Sequence, residues 1–114
     1  MSRGPIAATP EPPYVAVLFT SVRTAGDERA YEVMNEAMVR LAAEQPGYLG
    51  LESARAEVGL TVSYWVDEAA AAAWKQVAAH LVAQRRGREA WYSDYRVRVA
   101  VVHREYGPEE ADAR

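Results

Sequence analysis

The chain has 114 residues, half of them hydrophobic and a quarter charged, with a formal net charge of −3. That is room for one globular domain with one modest core, and the acidic balance argues against nucleic-acid binding, which usually needs a basic surface. There is no cysteine, so disulfides and thiolate chemistry are excluded, and only two histidines, His80 and His103, are available for a metal.

Residues 1–12 hold Pro5, Pro10 and Pro12 among small residues and read as a flexible arm able to lie along a neighbour. The N-terminus lacks the apolar core of a signal peptide. No stretch reaches the ~18 apolar residues of a membrane span, so a cytoplasmic protein with no membrane partner is expected. Residues 14–22, rich in β-branched and aromatic side chains, predict a first strand. After a turn at 24–27, with Asp27 as N-cap, Tyr31, Met34, Met38 and Leu41 recur at helical spacing and predict a helix over 28–44, ended by Pro46-Gly47. Strands follow at 48–55 and 60–66, joined by a turn at 56–59. Asp67 then caps a second helix, whose apolar stripe is Ala70, Trp74, Val77 and Leu81 and which Gly87 closes near residue 86. A last strand is expected over 95–106, and the acidic end, 108–114, as a disordered tail after a single domain at 13–107.

The order β-α-β-β-α-β is the ferredoxin-like, α+β pattern with a four-stranded antiparallel sheet. Two helices cover one face of such a sheet. Val15, Val17 and Phe19 point one way in the first strand, and Ala16, Leu18 and Val22 the other. Val97, Val99 and Val101 likewise oppose Ala100 and Val102. A half-solvated sheet should alternate cleanly between apolar and polar. Two apolar faces therefore predict a homodimer in which two sheets pack together as a shared α+β barrel. RNA-recognition modules share this order, but they need stacking aromatics on the open face and basic surroundings, where this chain has valine, alanine and net negative charge.

Several short strings carry a family resemblance: SYW at 63–65, WK at 74–75, His80 with Ala83-Gln84, Gly87-Arg88, Trp91-Tyr92, Tyr95 and REY at 104–106. QPGYLGLESAR at 45–55 and Phe19-Thr20-Ser21 extend them upstream. Over residues 13–107 the chain resembles a bacterial branch of the antibiotic-biosynthesis-monooxygenase (ABM) superfamily. The resemblance implies a dimeric α+β barrel, a ligand held between sheet and helices, and one of two chemistries. One is cofactor-independent oxygenation of aromatic polyketide intermediates. The other is heme degradation, for which the family uses a strand-1 asparagine, a helix-2 tryptophan and a histidine about ten residues beyond it. Trp74 matches that tryptophan, but Gln84 stands where the histidine would be and Phe19-Thr20 where the asparagine would be.

Cofactor-free oxygenation needs an acidic aromatic substrate, flat walls, donors to its anion and exclusion of water. The residues offer that palette. His80 and Trp74 are the catalytic candidates, as proton carrier and pocket wall; Tyr64, Trp65, Trp91, Tyr92, Tyr95 and Arg88 are the substrate-binding candidates, with Arg96 and Arg98 as further cations. No metal ligand set and no cofactor are expected, and the partner is a small aromatic molecule. The same residues also have plainer uses: Trp74 in core packing, Trp91 and Tyr92 closing a barrel end, His80 on the helix surface beside Gln84, and Arg85, Arg86 and Arg88 as a solvated patch. A non-catalytic ligand-binding or stress-related dimer is therefore the rival reading. Convergence of His80 with a tyrosine or tryptophan in one cavity between helices and sheet favours chemistry; a cavity that is fully apolar, or filled by Trp74 and Met34, favours binding or a purely structural role.

Overall fold

In the computed structural model, which describes residues 4–26, 28–85 and 91–108, the element order is β1 (Tyr14–Arg23), α1 (Glu28–Ala43), β2 (Tyr48–Arg55), β3 (Gly59–Trp65), α2 (Glu68–Arg85) and β4 (Tyr92–Val102). The four strands form one antiparallel sheet in the order β2-β3-β1-β4, which is the expected ferredoxin-like topology. Asp27, Arg88 and the acidic residues after Pro108 lie outside the described residues, as does the expected end at Gly87.

The start of α2 and the end of α1 have local causes. The Ala70 N–H donates to the Asp67 carboxylate at 2.9 Å, the N-cap bond expected of that residue. The last carbonyls of α1 accept from Glu44 N–H, Gln45 N–H and the Gln45 side chain. Gly47 then turns the chain with φ +85° and its carbonyl accepts from Val66 N–H at 2.8 Å. Among the described residues no helix is long and apolar enough to cross a membrane.

The core lies between the helices and one face of the sheet. Val15 and Trp65, paired across β1 and β3, meet Ala42, Ala71 and Trp74, with Val17, Met38, Leu41 and Tyr48 packed around them. Trp65 is fully buried, and its indole stacks on Trp74 with centroids 5.7 Å apart and planes at 23°. Its Nε1–H donates to Ser63 Oγ at 2.9 Å, which satisfies two buried polar groups at once.

β4 begins earlier and ends earlier than expected. Its register explains the shift: Tyr92 already pairs with Arg23, and the ladder runs to Val102 opposite Tyr14. β4 is an edge strand. On its helix-side face Val97, Val99 and Val101 are 49%, 56% and 58% exposed, so the helices stop short of it.

The opposite, helix-free face carries Ala16, Leu18, Val62, Tyr64 and Ala100 by register. Residues 4–12 of the proline-rich segment lie along one end of this chain's own sheet. Ala7 N–H donates to Glu52 at 2.9 Å, and the Thr9 hydroxyl donates to Glu105 at 2.6 Å.

Candidate active site

Three side chains alternate on the helix-side face of β1: Phe19, Ser21 and Arg23. Around them the fold gathers an aromatic cluster. Phe19 lies 5.0 Å from Tyr92 and 5.7 Å from Tyr95, centroid to centroid. Tyr31, in the first turns of α1, meets Trp91 at 5.9 Å and Tyr92 at 6.1 Å. Tyr92 and Tyr95 are three residues apart, which in a regular strand puts them on opposite faces. The ladder shifts between Val22 and Arg23, so that Asp94 faces Val22 while Tyr92 faces Arg23, leaving Ser93 as the extra residue of a bulge. The bulge turns Tyr92 back onto the face that Tyr95 shares with Ser21 and Phe19.

Two cations border the cluster. The Arg23 guanidinium stands 3.6 Å from the Tyr31 ring centroid and Arg55 stands 5.7 Å from the same centroid. Arg55 donates to the buried Ser21 hydroxyl at 2.7 Å. Arg23 pairs with Glu28 at 2.8 Å. Burial, and then the hydrogen bond with Tyr31, push the Tyr92 phenol above the ordinary tyrosine range, although Arg55 and Arg23 pull the other way. Tyr92 is thus a proton donor at neutral pH and not a base. A planar aromatic compound laid against Phe19 and Tyr95 would meet phenol and guanidinium donors at its edge.

The sequence candidates do not share one place. Trp91, Tyr92 and Tyr95 belong to this cluster. Trp65 and Trp74 fill the core, Trp74 at 7% exposure and against another indole. Tyr64 lies on the helix-free face, where its hydroxyl donates to Glu52 at 2.8 Å. Arg96 and Arg98 face the same way as Thr20 and Leu18, away from Phe19. His80 is exposed on α2 and lines a shallow outer groove with Leu41, Gln76, Val77 and Leu81. No residue of the aromatic cluster lines that groove. Arg23, Arg55 and Ser21, on the other hand, are site residues that sequence reading missed. Their signal was an odd-position polar series, Ser21 and Arg23, on a face that β1 otherwise fills with Val15, Val17 and Phe19.

A second polar cluster occupies the helix-free face. Tyr14 and Tyr64 pack edge to face at 5.8 Å, and their hydroxyls donate to Glu105 and Glu52 respectively. The residues around them, Ile6, Ala7, Thr9, Val102 and Tyr106, enclose a hollow of about 290 Å³. Burial and the carboxylate each phenol donates to raise both tyrosines above their usual value of 10.0. The sign of the effect follows: an unfolded tyrosine releases its proton near 10 and the folded ones keep theirs. The contribution is fully present below about pH 10 and is lost as pH rises above it. Denaturation midpoints are expected to stay flat from about pH 8 to 9.5 and fall beyond about 10. Replacing Tyr14 and Tyr64 by phenylalanine should make the fall shallower and leave the part that the buried Tyr48 and Tyr92 phenols contribute; an unchanged slope would assign it wholly to other groups.

A four-stranded antiparallel sheet backed by two helices on one side, with an aromatic and cationic corner beside them, defines a small α+β domain of ferredoxin-like topology. Residues 13–86 match the family described as antibiotic biosynthesis monooxygenase. The chain is also 47% identical over 102 residues to the uncharacterised protein YqjZ of Bacillus subtilis (strain 168), covering 88% of this chain and 89% of YqjZ. It belongs to the antibiotic biosynthesis monooxygenase family. Solved structures share the fold at low identity. A mutant form of SnoaB, a cofactor-independent oxygenase from Streptomyces nogalater, superposes with a TM-score of 0.65 at 15% identity, over 83% of this chain and 97% of that one. The heme-degrading protein Rv3592 from Mycobacterium tuberculosis gives a TM-score of 0.55 at 16% identity, over 82% and 97%.

Proposed function

We propose that the protein is a monooxygenase-like enzyme that oxidises a small aromatic or polyketide-type compound without a metal or flavin. The observation that carries this reading is the Phe19–Tyr92–Tyr95 cluster flanked by Arg23 and Arg55. An acidic aromatic ketone or phenol gives up a proton to solvent and becomes a delocalised anion. The guanidiniums and the Tyr92 hydroxyl hold that anion, and the aromatic walls keep it flat. The anion passes one electron to O₂, and the two radicals join through a new carbon–oxygen bond. The resulting peroxide loses water. One oxygen atom stays as a carbonyl in place of two hydrogens, and the other leaves as water.

The working unit in this reading is a homodimer. The helix-free face carries Ala16, Leu18, Val62 and Ala100 in its middle, and edge strand β4 leaves three valines half exposed. Apolar area of this kind is covered in soluble proteins by association.

A ligand-binding dimer without turnover is the second reading, favoured by Trp74 packing on Trp65 and by the place of His80 outside the cluster. Oxygen uptake with a panel of anthrones and hydroquinones separates the two, with product mass read in parallel. Uptake above the no-enzyme rate is expected, with a net gain of one oxygen and loss of two hydrogens for an anthrone. It should fall at least roughly tenfold in Arg55→Gln, as for loss of a charged hydrogen bond, and stay near wild type in His80→Ala. Tight binding of the panel with no uptake would move the conclusion to the ligand-binding dimer. Sedimentation of the same preparations at the mass of one chain would end the dimer reading.

A further inference from the structure

The Arg55 side chain starts on edge strand β2, crosses Gly59 on β3 and ends at Ser21 on β1. The register pairs Arg55 with Gly59 and Gly59 with Ser21, so the guanidinium lies along one row across three strands. A Cβ on Gly59 would overlap that guanidinium. The Gly59 backbone is not left-handed, so no turn geometry demands a glycine there. The missing side chain serves the crossing.

The corner it reaches has more donors than acceptors. Arg23 is two residues beyond Ser21, and its Nε–H is buried with no acceptor among the described residues. Trp91 Nε1–H, in a residue 9% exposed and packed on the same Tyr31 ring as Arg23, is a second buried donor without an acceptor among the described residues. Glu28 meets Arg23 only from outside, with its side chain 74% exposed. Among the described residues no carboxylate pairs with Arg55. Unmet buried donors cost stability until an acceptor arrives, and two guanidiniums beside one ring favour an acceptor that is charged.

Building on the reading of this corner as the ligand site, we infer that it receives a carboxylate and that the aromatic substrate is a carboxylic acid, bound as its anion. The planar fork of Arg55, held flat over Gly59, suits the two oxygens of a carboxylate. Phe19 lies two positions before Ser21 on the same face, about 7 Å away along the strand. That spacing places an aromatic ring against Phe19 and Tyr95 while a carboxylate attached to it reaches the arginines. Gly59 is a positioning residue, since it acts only by letting Arg55 lie there.

The test is calorimetric titration of full-length protein with 2-naphthoate and with its neutral isostere 2-naphthamide, in low salt at neutral pH. Wild type is expected to bind the acid roughly tenfold or more tighter than the amide, the scale of a charged hydrogen bond. Gly59→Ala and Arg55→Gln should bring that ratio close to one, weakening the acid far more than the amide; Arg55→Lys should keep part of the preference. Thermal unfolding of each variant controls for folding, and Arg55→Gln decides the matter if Gly59→Ala is unstable. Equal binding of acid and amide by wild type, or a preference that survives both variants, overturns the carboxylate inference but leaves the ligand site standing. Binding of neither ligand overturns the two together.

Discussion

Trp65→Ala is expected to cost about 3–5 kcal/mol, the range for deleting a large buried aromatic side chain. Few positions could cost more. Trp65 is fully buried at the C-terminal end of the inner strand β3, between Tyr48 on one side and Trp74 on the other. Removing the indole leaves a void bordered by Val15, Ala42 and Ala71, and two of these have no longer side chain to move inward. It also strips Ser63 of the proton it accepts at 2.9 Å. A domain of this size has only about 5–15 kcal/mol to lose, so the variant should be partly unfolded at 37 °C. Trp74→Ala should cost less, since it opens toward the helix surface. The double variant should cost less than the two singly by about 0.5–1.5 kcal/mol, because each single change already breaks the stacked pair. Urea unfolding followed by circular dichroism measures all three. A Trp65→Ala cost under about 1 kcal/mol would show that the two indoles are not the centre of the core.

Gly47→Ala is expected to be the most damaging small substitution, at about 2–4 kcal/mol. Two independent effects add. The residue sits at φ +85°, a region that a Cβ makes costly. The Cβ would also lie 2.6 Å from the Ala70 Cβ and 2.9 Å from a Val66 methyl. Ala70 has no flexible end to swing aside, so relief requires moving α2 away from the turn. That motion would stretch the bond from Val66 N–H to the Gly47 carbonyl and loosen the junction between β3 and α2. Gly26→Ala is the matched control, since a Cβ there meets nothing within 4 Å. Equal midpoints for the two variants would refute the argument.

Part of what makes these two sites matter is legible in the amino-acid string. Pro46-Gly47 reads there as a helix stop, and Trp74 as part of an apolar stripe at helical spacing. What no string displays is that Trp74 meets Trp65, nine residues away on another element, and so belongs to the core and not to a pocket wall. The same holds for His80. Its type suits proton transfer, but its position six residues after Trp74 turns it about 240° around the helix, out toward solvent. Tyr64 and Trp65 are adjacent, and both are candidates by residue type. Strand alternation alone separates them, one to the helix-free face and one to the core.

By itself the sequence determined the element order, the start of α2 at Asp67, the stop of α1 at Pro46-Gly47, the ferredoxin-like topology and the family, because each of these rests on short-range periodicity, turn chemistry or contiguous strings. Tertiary structure decided the site. Phe19, Ser21 and Arg23 come from β1, Arg55 from β2, Gly59 from β3, Tyr31 from α1 and Tyr92 from β4, and antiparallel register is what stacks them in one corner. A single extra residue at Ser93 brings Tyr92 round to the face of Tyr95. Register and bulges are settled by packing between distant segments, through hydrogen bonds that any backbone can make. The composition of a strand therefore shows which residues it has to offer, and only its neighbours show where they point.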